Sequence, residues 1–457
     1  MLYFGNFEAN YMNISIELPE ISTIIDTLSA YFDKNRIEQE AKDANFIQKP
    51  RKLTGMGFFC ICIMQGFGCS LSLMCGTLKG FSISVCEQSL NERFTDSAVV
   101  FMKRLFEQML QLELSKSVQM AFLPKFSGVF IQDSTVIKLP DSMASIFKGT
   151  GGSAGKSSVK VDFQMDVQGS ACHMDIRGGT SGDNAQAVRN VKKGALYIRD
   201  LGYFNVPFFG LIMESGGYFL SRLRSKSIIY GDIEGKTVID IFEITQKMKA
   251  DDTLHIPVFI GHRKFVPVFL IVQKLPPEVI AVKIERAKKD HQKRMTQMTK
   301  EHIAWCEFNS YVTNIPFSWF DALTIIQIYG IRWQIEIMFK VWKSIYKIGD
   351  VGKIGEKRVL CMLYGRLTWI LMQMKIFRVF KKNIYGVSQK EVSEIRGFKQ
   401  LNEFKSEFRV VIKSGMAEIW RQLILFLFGL IQDFALKKKR KKKMPPLYNS
   451  NFQCLTD

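Results

Sequence analysis

The chain reads as an α/β protein built on a mixed β-sheet, and three stretches carry that reading. VKVDFQMDV (159–167) alternates apolar and polar residues strictly, the period of a strand with two unlike faces. Before it, FSGVFIQDSTVIKLP (126–140) is β-branched and aromatic; after the turn QGSA, Cys172, Met174 and Ile176 alternate again, so a strand and a hairpin are expected. A capped helical stretch over 181–194, a short strand in ALYIRDLGYF ending at Asp200, and a strand in YFLSRLRSK (218–226) then make a layer of helices and strands.

The flanks differ in texture. Residues 1–50 are polar and helix-like, and 51–118 are apolar with helical spacing at Val99, Met102, Leu105, Phe106 and Leu110. Residues 227–316 read as a β-rich insertion. HIPVFIG, FVPVFLIVQKLP and VIAVKIE are strand-like, and a basic arm, RAKKDHQKRMTQMTKEH, follows them. One long helix is expected over 317–345 and further helices to about 435, followed by a basic tail. These shifts divide the chain into a helical N-terminal region (1–118), an α/β domain (119–226 and 317–380), the insertion (227–316), a helical C-terminal region (381–436) and the tail (437–457).

Composition narrows the function. Of 457 residues 47% are hydrophobic, enough for a large core, and the net charge is +20. The tail KKKRKKK (437–443) supplies only seven of those charges, so the body of the protein is basic too and suits a polyanion such as nucleic acid. The nine cysteines show no C-x2-C pairing and read as free thiols. The glycine-rich KGTGGSAGKSS (148–158) imitates a phosphate loop, but Thr150 stands where its first glycine belongs and a strand follows where a helix is required. The apolar run at 56–82 is the one membrane candidate; Gln65, Ser70 and Ser72 interrupt it, and a buried helical hairpin is the expected form. The N-terminus lacks the basic flank of a secretory signal.

Candidate chemistry gathers on WFDALTIIQIYGIRWQIEIMFKVWKS (319–344). On one continuous helix Tyr329, Arg332, Glu336 and Lys343 would project within about 60° of each other, a phenol, two cations and a carboxylate in one stripe. Surface ion pairs alone would explain that stripe. Asp133 and Asp200 add weight, since an aspartate amid β-branched residues opposes strand propensity. Three carboxylates can gather hard divalent cations for phosphodiester chemistry, and the five histidines form no H-E-x-x-H. Asp162, Asp166 and Asp175 are assigned to solvent-facing positions, Asp183 to a helix cap, and Trp333 to packing.

The spacing Tyr329-x2-Arg332-x3-Glu336-x6-Lys343 resembles the Y-x2-R-x3-E-x6-K signature of bacterial insertion-sequence transposases with a DDE active site. QDST around Asp133 and RDLGYF around Asp200 resemble that group's two aspartate blocks, and FLSRLRS resembles the strand that follows. The resemblance covers residues 125–350. It implies an RNase H-like catalytic fold interrupted by the β-rich insertion, with Asp133, Asp200 and Glu336 as catalytic residues and ligands of two Mg²⁺, for which Mn²⁺ can substitute. It implies cleavage at element ends, then strand transfer into double-stranded target DNA. It also implies Tyr329, Arg332 and Lys343 on DNA phosphates, Trp305 as a stacking residue for a flipped base, a homodimer on DNA, and a cytoplasmic, nucleoid-associated location without membrane contact. Arg222 and Arg224, at a strand exit, are further candidates for the DNA backbone. Two alternatives remain open: a metal-dependent nuclease without strand transfer, and a catalytically silent DNA-binding relative.

Overall fold

Val129–Leu139 forms strand β1, and the strands around it decide where the acids meet. The structure is a computed structural model that describes residues 19–49, 52–112, 125–152, 155–167, 171–182, 191–262, 265–352 and 354–436. Residues 1–18, the basic tail, and 183–190, the body of the expected helix with Asp183, lie outside them.

β1 pairs antiparallel with β2 (Ser157–Asp166), which pairs antiparallel with β3 (Ala171–Gly178). On its other side β1 runs parallel to β4 (Leu196–Arg199), and β4 parallel to β5 (Tyr218–Arg222). The order β3-β2-β1-β4-β5, with three parallel strands and an antiparallel hairpin at the edge, is the RNase H-like sheet that the resemblance implies. The sheet does not stop there. The 227–316 stretch contributes β6 (Ile229–Tyr230), β7 (Thr253–Ile260), β8 (Val266–Lys274) and β9 (Phe308–Thr313). β9 joins β5 through Leu220↔Thr313, Ser221↔Val312 and Arg222↔Tyr311, so one nine-stranded sheet runs β3-β2-β1-β4-β5-β9-β8-β7-β6.

Two local expectations are corrected. VIAVKIE lies inside a helix, Pro277–Lys293, rather than a strand. Proline at its first turn, Glu278 near its N-terminus and His291 and Lys293 near its C-terminus favour a helix over the β-branched propensity of that short run. The single helix expected over 317–345 is two, Ala322–Gly330 and Trp333–Ser344. Asp321 caps the first, its carboxylate accepting from the Thr324 N–H. Between them Ile331 and Arg332 donate to Ile328 and Tyr329 carbonyls three residues back, a tighter turn that separates the two helices.

β2 is covered on both faces, not one. Phe163 packs on Trp342 and Phe339, at 4.9 and 6.2 Å between ring centres. On the opposite face Asp162 is 1% exposed, correcting its assignment to solvent. Its carboxylate accepts from Gln132 Nε2 (3.0 Å), Arg177 Nη2 (2.7 Å) and the Tyr203 hydroxyl (3.3 Å). Asp166 and Asp175 are likewise paired, with Arg378 and Arg177. A buried carboxylate needs such partners to stay charged, and the strand pattern alone does not reveal them.

The N-terminal region packs as helices Pro19–Tyr31, Lys34–Asp43, Gly55–Met64, Leu71–Lys79, Glu87–Asn91 and Asp96–Gln111. All ten residues of Gly55–Met64 are buried, and this helix and the next form the hairpin expected for the apolar run. Among the described residues no helix is long and apolar enough to cross a membrane, and the eight described cysteines are free. The described C-terminal part is Glu356–Ser388, Glu394–Glu403, Lys405–Ser414 and Ala417–Phe434. Gly365 lets the first of these touch Gly55–Met64, since a Cβ there would lie 2.4 Å from the Cys62 carbonyl oxygen. Gly365→Ala is therefore expected to cost about 1–3 kcal/mol through overpacking, despite alanine's better helix propensity. Thermal melting checks this, and an unchanged or raised midpoint would contradict it.

Candidate active site

Asp133 sits midway along β1, where it pairs with Phe163 of β2. Directly opposed residues share a face, so Asp133 projects toward the side that the Trp333–Ser344 helix covers through Trp342 and Phe339. Asp200 is the first residue past β4. Gln132 pairs with Arg199 across the parallel β1–β4 ladder, which sets the two aspartates side by side at successive positions. Asp200 opens a short 3₁₀ turn but makes no capping bond, leaving its carboxylate for the site. Glu336 stands in the first turn of the Trp333–Ser344 helix.

Arg332 ties the three together. Its Nη2 donates to Glu336 Oε1 at 2.5 Å, and its Nη1 lies 3.6 Å from Asp200 Oδ1 and 3.9 Å from Asp133 Oδ2. Burial works against the guanidinium's charge, but Tyr329, Asp200 and Glu336 outweigh it and hold the group above its ordinary pKa. Asp133 shows the opposite stress. Burial pushes its carboxyl up to about 7; the Ser134 N–H and Arg332 pull it down, while Asp200 and Glu336 add to the rise.

Tyr329 is buried with its hydroxyl unpartnered, 4.9 Å from the Tyr311 ring and beneath the Arg332 guanidinium. Burial raises its pKa far above the phenol range, so it acts as a neutral hydroxyl. Lys343 is exposed, seven residues beyond Glu336 on the same helix face. Arg222 ends β5, and Arg224 lies just beyond, donating to the Phe204 carbonyl at 3.1 Å and stacking over its ring. Trp305 does not join the acids. Its ring packs on Phe242 and Phe308, at 5.6 and 5.0 Å, partly buried against the hydrophobic cluster that includes Phe308. Trp333, expected to pack, is 56% exposed at the head of the helix carrying Glu336, just past the tight turn at Ile331–Arg332. Lys283, Asn309 and Tyr311 also lie along this side, and nothing in their local sequence marks them out.

The acids' donor set is oxygen only, with no imidazole or thiol, which fits a hard divalent cation. Among the described residues, however, no three His, Cys, Asp or Glu side chains converge as ligands of one ion. A guanidinium stands between the carboxylates, and the negative charge it balances is the charge a metal ion would balance in its place.

Comparison with known proteins identifies the family. The family model described as the transposase DDE domain matches residues 124–372, which contain all three acids and the whole signature. The transposase for insertion sequence element IS1151 of Clostridium perfringens is 30% identical over 438 residues, 90% of this chain and 92% of that protein. The transposase for insertion sequence element IS231F of Bacillus thuringiensis subsp. israelensis is 26% identical, covering 94% and 95%. Among solved structures, a cryo-EM piggyBac transposase synaptic complex with hairpin DNA is similar at a TM-score of 0.47 and 11% identity, covering 92% of this chain and 86% of that one. The family model spans more than half the chain and the relatives run nearly its full length, so this protein belongs to the DDE transposases of insertion sequences and is an enzyme acting on DNA.

Proposed function

We propose that Asp133, Asp200 and Glu336 form the single centre at which this transposase cuts the ends of its element and joins them to target DNA. The observation that carries the reading is the Arg332 guanidinium held by carboxylates from three separate elements. The family uses divalent metal in general; here the three carboxylates would hold it, as Mg²⁺ in two positions with Mn²⁺ a substitute. Bound there, the metal makes water or a 3′-hydroxyl a better nucleophile and stabilises charge on the leaving oxygen.

The chain's own residues do the rest. Tyr329 and Arg332 line the centre and offer a neutral hydroxyl and a forked cation to a phosphate. Lys343 extends the cationic face along the helix, and Arg222 and Arg224 meet the backbone at the sheet's end. Trp305 serves the insertion as a packing residue, since base stacking would require it to leave Phe242 and Phe308. The helical N-terminal region is assigned to binding the element end, and two copies of the chain to holding two ends together.

Arg332 has a second role in this reading, as the cation that neutralises the acids until metal and DNA arrive. Arg332→Ala then removes a competitor. In a melting titration with Mg²⁺ its half-saturating concentration should fall by about fivefold, on the order of 1 kcal/mol, while DNA cleavage also falls. A midpoint that is unchanged or higher would contradict the counter-ion role.

A further inference from the structure

Outside the acid cluster, two cations meet without an anion. Lys283, on the Pro277–Lys293 helix, donates from Nζ to the Phe308 carbonyl (3.1 Å) and to Asn309 Oδ1 (3.3 Å). Arg222, at the end of β5, donates from Nη2 to the same Asn309 oxygen at 3.5 Å. Asn309 is held in turn by Gln273, Nδ2 to Oε1 at 3.4 Å. The acid just before β9, Glu307, is already engaged by Lys274 at 2.7 Å. Among the described residues no carboxylate forms an ion pair with Lys283 or Arg222.

Two partly buried like charges sharing one neutral oxygen are costly to keep together. Lys283 registers the cost: burial, then the Arg222 charge, draws its pKa down to about 8. An arriving anion would relieve both groups, and Arg222 uses only Nη2 on the protein, leaving Nε and Nη1 to donate.

Position indicates which anion. Arg222 pairs across the sheet with Tyr311, whose ring lies 4.9 Å from Tyr329, and Tyr329 stacks under the arginine that binds the acids. The cation pair thus stands one aromatic wall away from the catalytic carboxylates. It is assembled from two parts of the chain, the edge of the catalytic sheet and the helix of the insertion.

We propose that Lys283 and Arg222, gathered by Asn309, seat one backbone phosphate of the DNA strand leaving the active site, and that the insertion thereby sets the position of the strand. This deepens the DNA reading of the site and rests on it. Lys283 contributes as a positioning residue, apart from the chemistry.

The test uses the full-length protein and a duplex carrying the element's own end, with affinity measured across a range of salt concentrations. Each phosphate contact contributes close to one to the slope of log affinity against log salt. Lys283→Gln should make the slope shallower by about one and weaken binding about five- to tenfold near physiological salt. Lys283→Arg should restore both. Single methylphosphonate substitutions along the duplex should reveal one position that weakens binding by wild type and not by Lys283→Gln. Thermal melting of each variant separates this from misfolding. An unchanged slope with identical methylphosphonate patterns in wild type and Lys283→Gln would overturn the seat. If wild type itself fails to bind the end duplex, the DNA reading of the neighbouring centre fails, and the seat with it.

Discussion

Glu336→Gln is expected to abolish excision. With a marked element in its native flanks on a donor plasmid, the variant should excise at least about 10³-fold less than wild type, the several kcal/mol expected when one metal-binding carboxylate is neutralised. Binding to the element end should persist, because Glu336 faces Arg332 and the two aspartates, and its loss leaves the exposed cations in place. The substitution keeps the side chain's size, so the helix and its packing through Trp342 should survive. Equal excision by both proteins would remove Glu336 from the chemistry. If neither excises while both bind the flanks, the catalytically silent reading replaces the present one.

Asp133→Asn is expected to be inactive and more stable at neutral pH. The folded carboxyl titrates at about 7 against an ordinary 3.8, so the native state holds the proton more tightly than the unfolded chain. Stability therefore falls as pH rises from about 4 to about 7, and that loss persists at higher pH. Asparagine carries no such cost. In chelator at pH 8 the variant should be more stable than wild type by roughly 2–4 kcal/mol, a shift of several degrees in melting temperature. The gap should close as pH approaches 4, and saturating Mg²⁺ should narrow it at pH 8 by stabilising wild type alone. A variant less stable than wild type at pH 8, or a gap independent of pH, would show that Asp133 is not under this stress. A carboxyl that costs stability at the proposed centre is a familiar bargain between function and folding.

How far the sequence alone reaches can be judged residue by residue. The period-two alternation of β2 and β3 and the β-branched run of β1 place these strands, because local side-chain pattern and backbone pleat are directly linked. Asp200 is legible as a strand-end residue, and the signature spacing does bring Arg332 to Glu336. The rest depends on contacts distant in sequence. Asp162 alternates with apolar neighbours as a solvent-facing residue would; only the arrival of Arg177 and Tyr203 buries it. The tight turn at Ile331–Arg332 leaves no strong mark, since Gly330 is the sole breaker nearby, and the exposure of Trp333 just beyond it is equally unmarked. VIAVKIE has strand propensity and becomes a helix through its flanking proline and charges. That β9 would zip onto β5, and so carry Lys283 toward Arg222, is a matter of sheet order, which no local pattern encodes.

The most direct measurement is anomalous diffraction from crystals of the full chain with its end duplex, grown in Mn²⁺. The account predicts manganese at coordinating distance from the carboxylates of Asp133, Asp200 and Glu336, with the Arg332 guanidinium moved off them and onto DNA. Manganese bound elsewhere, with the three acids still closed around Arg332 in a crystal that cleaves its DNA, would contradict it.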